Sequence, residues 1–205
     1  MTLLGPGLRD RERLAAARAA WAREPSLRVE DALDPDFAAE ALAALRTQPH
    51  QVVISHDPRF AFQYWQAQWV PEQDCDHVLC RLGRALDGEL REQVAALTGL
   101  TLASPADRRV TAAAYLKGGY LDAHDDFGHG RSVAFVLGLT ESSWPAESGG
   151  WLELLNGADG PARERRAPGW NTLDLFEVET PGRFHRVPIL REHQERRTVY
   201  GWFYA

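Results

Sequence analysis

The chain has 205 residues, is 44% hydrophobic and 25% charged, and so has the size and composition of one ordinary globular domain with a sizeable core. Its formal net charge of −6 speaks against a broad, direct nucleic-acid footprint. No apolar run reaches the roughly 18 residues of a membrane span, and Met1–Gly7 is too short for a signal peptide, so a cytoplasmic location away from membranes is expected.

In chain order, Leu8 to Arg23 is rich in Arg and Ala, with Leu14, Ala17 and Trp21 at helical spacing; it predicts an amphipathic helix whose arginines form a solvated face. Leu27 to Leu33 reads as a short extended piece. Asp34-Pro35 then supplies an N-cap and a proline at the first helical position of a helix running to about Leu45, with Phe37, Ala41 and Leu45 on the side that covers a sheet. Gln51–Ser55 and Phe60–Trp69 carry the β-branched and aromatic residues that strands favour, and read as a hairpin or as neighbours. Cys75 and Cys80 have no ligand cluster around them and read as buried structural residues rather than a metal or redox pair. Leu79, Leu82, Leu86, Leu90, Val94 and Leu97 step by three or four, predicting a helix behind the sheet with a break at Asp87-Gly88.

From Arg108 onward the character changes to short β-like runs separated by Gly, Pro, Asn and Asp: Val110–Leu116, Ser132–Leu139, Trp151–Leu155, Thr172–Val178, Arg183–Ile189 and Thr198–Tyr204. Helices first and strands later imply an α+β chain whose second half is a β-sandwich or barrel. Within one domain, residues 1–107 would be mainly helical support with early strands, and 108–205 the core. Asn156 to Gly169, containing Arg163-Glu-Arg-Arg166, is the one long loop, either a solvated insertion or a basic lid over a substrate.

The chemistry gathers around His124-x-Asp126. An imidazole and a carboxylate two residues apart on an extended segment share a face, and here Gly118-Gly119 and the apolar run Val133–Leu139 frame them as turn, site and strand. Far downstream, His185 sits in the apolar run Phe-His-Arg-Val-Pro. Two histidines and one carboxylate form the facial triad of mononuclear Fe(II) sites, which leaves three metal positions open. Asp125 points away from His124 by the period of two and is supporting or structural. His129 is the main competitor, but Gly128 and Gly130 flank it as in a turn.

A metal with three open positions calls for a chelating co-substrate, and the far end of a dicarboxylate calls for a bidentate cation. Arg196 and Arg197 both qualify. Arg196 shares its strand face with Thr198, Tyr200 and Trp202, so it is favoured, with Thr198 adding a hydroxyl. Tyr115 supplies a further phenolic hydrogen bond or is a core tyrosine of the first barrel strand.

These residues lie in five motifs: Tyr-x-x-Gly-Gly-Tyr-Leu-x-x-His-Asp-Asp from Tyr115, Gly-Gly-Trp-Leu-Glu-Leu from Gly149, Trp-Asn-x-Leu-x-Leu-Phe-x-Val from Trp170, Phe-His-Arg-Val from Phe184 and Arg-x-Thr-x-x-Gly-Trp-Phe from Arg196. Together they resemble the Fe(II)- and 2-oxoglutarate-dependent prolyl hydroxylases, and within them the branch that modifies a ribosomal-protein proline. The resemblance implies a double-stranded β-helix (jelly roll) with N-terminal supporting helices. It also implies Fe(II), 2-oxoglutarate and O2 as cofactors, ascorbate as an optional accessory, His124, Asp126 and His185 as iron ligands, and Arg196 on the distal carboxylate. Two departures stand out. The ribosomal enzymes resemble two such domains in tandem, whereas this chain has length for one. Relatives often carry a tyrosine on the strand after the His-x-Asp turn, where this chain has Gly138, which is expected to open space near the co-substrate.

The favoured function is hydroxylation of a residue, above all proline, in a peptide or protein partner. Hydroxylation of a free amino acid or small metabolite is the alternative, and a non-catalytic sensor on the same fold is the third reading. The oligomeric state has no signature in the sequence.

Overall fold

The structure is a computed structural model in which residues 2–140 and 143–205 are described; Met1 of the short N-terminal segment lies outside them. The first expected helix is two: α1 (Pro6–Arg9) and α2 (Arg11–Arg23) divide at Asp10, whose carboxylate accepts from the backbone N–H groups of Glu12 and Arg13 and caps α2. Trp21 is buried, with Leu14 and Ala17 packed against the same core. After β1 (Ser26–Val29), α3 (Pro35–Thr47) starts at the Asp34 cap and buries Phe37, Ala41 and Leu45. β2 (Gln51–Asp57) and β3 (Phe60–Trp69) form an antiparallel hairpin.

The leucine-stepped segment does not break at Asp87-Gly88. α4 (Val78–Ala85) passes into α5 (Arg91–Thr98) through a π-helical turn, Leu86–Leu90, which absorbs the local misfit while keeping Leu82, Leu86, Leu90 and Val94 buried. Before α4, Cys75 and Cys80 are only half-buried and are joined by a disulfide, so their role is structural as read but they are not the buried residues expected. The chain turns into the helix at His77, bringing the two Cα atoms to 5.9 Å, within disulfide reach.

Eight strands follow: β4 (Val110–Tyr115), β5 (Tyr120–His124), β6 (Arg131–Leu139), β7 (Leu152–Leu155), β8 (Ala162–Arg166), β9 (Trp170–Glu177), β10 (His185–Val187) and β11 (Arg196–Tyr204). With the earlier strands they make one antiparallel sheet in the order β1-β9-β6-β11-β4-β3-β5-β10-β7-β8, with β2 on the other edge of β3. The sheet curls because β3 serves two neighbours: Trp65–Trp69 pair with β4, while Phe62 and Gln63 pair with β5. This is the jelly roll with supporting helices expected from the sequence. Its back face packs Leu137, Leu173, Val199 and Phe203 against the helices, and its concave face encloses a cavity. Among the described residues no helix is long and apolar enough to cross a membrane.

The expected long loop is a hairpin arm. β8 pairs with β7, and Arg166, 5% exposed, bonds Asp174, Glu164 and the carbonyl of Leu27. Arg166 is thus a buried brace between β8, β9 and β1, neither a solvated side chain nor part of a lid.

Candidate active site

Strand pairing assembles a cluster that could hold a metal ion. His124 ends β5 and His185 begins β10, and the two are direct partners in the antiparallel register, with ring centroids 4.1 Å apart. Asp126, two residues past His124, turns back so that its carboxylate lies 3.8 Å from His124 Nε2 and 3.4 Å from His185 Nε2. One ligand atom from each of the three residues lies within 4.8 Å of the others. His124 Nδ1 lies 2.9 Å from the carbonyl of Asp122, which assigns it the proton and turns a bare Nε2 toward the cluster. Burial, with the neighbouring His124, pushes the His185 imidazole down to about 3 against the pull of Asp126, leaving it in the neutral form that ligates metals.

Two side chains not singled out as site residues from the sequence hold the carboxylate. Trp202 Nε1 donates to Asp126 Oδ2 at 2.8 Å, and Arg131, its guanidinium 3.9 Å from the Trp202 ring centroid, reaches Asp126 Oδ1 at 3.4 Å. The face that Trp202 shares with Arg196 is visible in the alternation of β11; nothing comparable marks Arg131. Asp125 faces away and accepts from the backbone N–H of Gly182. His129 is exposed in a left-handed turn with Gly128 and Gly130 on either side, outside the cluster.

The cluster opens into a cavity of about 590 Å³. At its other end Arg196 is 4% exposed, its guanidinium 5.0 Å from the Tyr115 ring centroid, and its Nε and Nη1 are buried without a hydrogen-bond partner among the described residues. Burial holds the guanidinium below its usual pKa, so its charge is carried at a cost that a bound anion would offset. Thr198, also 4% exposed, lines the same end. Arg197 projects elsewhere, ion-paired with Glu195 at 2.6 Å and donating to the carbonyl of Leu45. Tyr115 is buried, and burial pushes its phenol above the ordinary value, so it remains a hydrogen-bond donor.

Gly138 does not open space. A Cβ there would lie 2.6 Å from Thr172 Oγ1 and 2.8 Å from the carbonyl of Gly169, so neighbours already fill the volume that a side chain would take.

The donor set fits the expected groups. Two imidazoles and a carboxylate on one point suit Fe(II), and a buried guanidinium with two unused N–H donors in the same cavity suits the far carboxylate of 2-oxoglutarate. Comparison with known proteins agrees. Residues 110–204 match the 2OG-Fe(II) oxygenase superfamily. The chain is 32% identical over 152 residues to prolyl 3-hydroxylase OGFOD1 of Xenopus laevis, an alignment covering 70% of this chain and 28% of that protein. The chain spans less than a third of the length of the curated relatives it matches. In fold it is similar to a Pseudomonas putida prolyl-4-hydroxylase, with a TM-score of 0.70 at 23% identity over 93% of this chain and 98% of that one. It is also similar to a Trichoplax adhaerens prolyl hydroxylase solved with a hypoxia inducible factor peptide fragment, with a TM-score of 0.67 at 14% identity over 97% and 95%. Residues 110–204 are thus a domain of the 2OG-Fe(II) oxygenase superfamily, whose cofactors are Fe(II), 2-oxoglutarate and O2.

Proposed function

We propose that this protein hydroxylates a residue within a polypeptide, with proline as the target, and that His124, Asp126 and His185 hold the iron while Arg196 and Thr198 anchor the distal carboxylate of 2-oxoglutarate. Bound there, the iron and co-substrate would supply the oxidising power to place one oxygen of O2 on a C–H bond and the other in succinate, as 2-oxoglutarate loses CO2. The chain's own part is positional. Trp202 and Arg131 fix the Asp126 carboxylate, the Asp122 carbonyl fixes the His124 ring, and the buried Arg196 end keeps water from the co-substrate.

The observation that favours a polypeptide over a free amino acid is the polarity of the cavity. Among its described lining residues the only carboxylates are Asp125 and Asp126. Asp126 is committed to the metal cluster, and Asp125 accepts from Gly182. An amino acid's ammonium would find only the half-buried Asp125, already bonded to Gly182, as a counter-ion, whereas the arginines and phenols of the wall suit the carbonyls of a chain. Phe60, Phe62 and Tyr64 of β3 form a ladder of rings, with centroids 5.1 and 5.7 Å apart, along which a pyrrolidine ring could lie. The relatives named as prolyl hydroxylases support the choice of proline.

The test is a library of proline-containing peptides assayed for succinate formation and for an added oxygen by mass spectrometry, with free proline and other small acids alongside. Turnover of peptides is expected. Turnover of a free amino acid with none of any peptide would replace this reading by the metabolite hydroxylase.

A further inference from the structure

On the cavity wall, Tyr64 of β3 and Tyr200 of β11 face each other over the small Ala113 of β4, and their hydroxyls are 3.1 Å apart. The Gln66 side-chain amide donates to the Tyr200 oxygen at 2.9 Å. Two phenols carry two O–H protons, and the contact between them uses one. Gln66 brings a third donor and takes none. Whichever tyrosine donates to the other, one phenolic O–H is left without an acceptor among the described residues. Burial holds both phenols above their ordinary pKa, so neither gives up its proton near neutral pH.

The pair borders the co-substrate anchor, with the Tyr64 ring stacked on Tyr115 at 5.2 Å between centroids, but it is the more open of the two. Arg196, Thr198 and Tyr115 are each no more than 5% exposed, whereas Tyr64 and Tyr200 are only half-buried, toward the open part of the cavity. Along β11, Tyr200 stands between Thr198 and Trp202, whose indole holds Asp126. A group accepting the spare proton there lies between the Arg196 end and the metal cluster.

We propose that Tyr64 and Tyr200 form a specificity-determining subsite that donates one hydrogen bond to a main-chain carbonyl of the substrate polypeptide. The proposal rests on the polypeptide hydroxylase reading above. The proton count sets its signature. Tyr64→Phe leaves the Tyr200 O–H free to donate, and Tyr200→Phe leaves the Tyr64 O–H free, so each single variant keeps one donor. The double variant has none.

The experiment measures two dissociation constants in the Mn(II)-loaded protein: that of a proline-containing peptide taken from the library screen, by fluorescence anisotropy, and that of 2-oxoglutarate, by calorimetry. Each single variant should bind peptide within about twofold of the unmodified protein. The double variant should bind it roughly five- to tenfold more weakly, the loss of one hydrogen bond to a neutral acceptor. Its affinity for 2-oxoglutarate should stay unchanged, and its melting temperature should match that of Tyr200→Phe, which already loses both protein contacts. Weakened 2-oxoglutarate binding in the double variant would reassign the free O–H to the co-substrate and overturn the proposal. So would unchanged peptide affinity in the double variant, or full loss in either single. If the unmodified protein binds 2-oxoglutarate but no peptide, the polypeptide reading itself fails and takes this subsite with it.

Discussion

Replacing Arg196 with methionine separates two roles that the guanidinium plays at once. In the co-substrate-free protein it is a buried charge with two unpartnered N–H groups, so an apolar side chain of similar length should leave the fold equally stable or firmer. With 2-oxoglutarate bound, the same change removes one partner of a buried charge pair, a loss of about 2–5 kcal/mol, or roughly 30- to 5,000-fold in co-substrate affinity. Thermal unfolding reads both. At 2-oxoglutarate near 100 times its dissociation constant, the unmodified protein should gain about 2.7 kcal/mol. For a chain of this size that is about 5–10 °C in melting temperature. Arg196→Met should start at or above the unmodified value and show no such gain at the same concentration. Arg197→Met, which disrupts the pair with Glu195 outside the cavity, should keep the ligand-induced shift from a lower baseline. If Arg196→Met keeps the shift and Arg197→Met loses it, the anchor has been assigned to the wrong arginine.

Three further outcomes follow from the packing. Asp174→Asn takes its carboxylate from Arg28 and Arg166, now 2.7 and 3.2 Å away, leaving Arg166 with that of Glu164 alone, and should destabilise the protein by about 3–5 kcal/mol in urea unfolding; a loss under about 1 kcal/mol would contradict the bracing role. Gly138→Ala drives a methyl into Thr172 and the Gly169 backbone and should cost about 1–3 kcal/mol, so an unchanged midpoint would show that the strand gives way freely. Burial raises the Glu164 carboxyl, but the hydrogen bond and charge of Arg166 outweigh it and hold its pKa below the usual value. Its contribution is therefore present above the unfolded value near 4.5 and is lost as pH falls through the lower folded value. Glu164→Gln should accordingly lose less stability than the unmodified protein on acidification through that window, and parallel pH profiles would refute the pairing.

The parts of this architecture that could be read in advance are those where periodicity and burial coincide. Asp34-Pro35 begins α3 as its capping chemistry requires, and Phe37, Ala41 and Leu45 bury the face their spacing defines. The alternation that put Asp125 opposite His124 also holds, with Asp125 bonding Gly182. β8 escaped because Ala162-Arg-Glu-Arg-Arg166 has no apolar period. Its stability comes from β7 and from ion pairs such as Arg165 with Glu153 and Arg166 with Asp174, partners whose nearness is set by the fold and not by the local sequence. The cysteine pair failed likewise, since the turn at His77 that brings them together leaves no trace in their spacing. Gly138 misled for a related reason: a missing side chain says nothing about which neighbour occupies its place.

The curl of the sheet bears on how the protein is made. Arg28 meets Asp174 across 146 residues of chain, and β11, the last strand, is the element that joins β4 to β6. Until Arg196–Tyr204 leaves the ribosome, β4 and β6 lack their shared neighbour, and the carboxylate-binding end does not exist even though His124 and His185 have already been synthesised. The proposed metal ligands and the proposed co-substrate anchor are thus assembled by different strand pairings, the histidines by β5 with β10 and Arg196 by β11 with β4. Such long-range closure belongs to slow folding, so the assembly of the cavity waits on the pairing of β11 with β4 and β6.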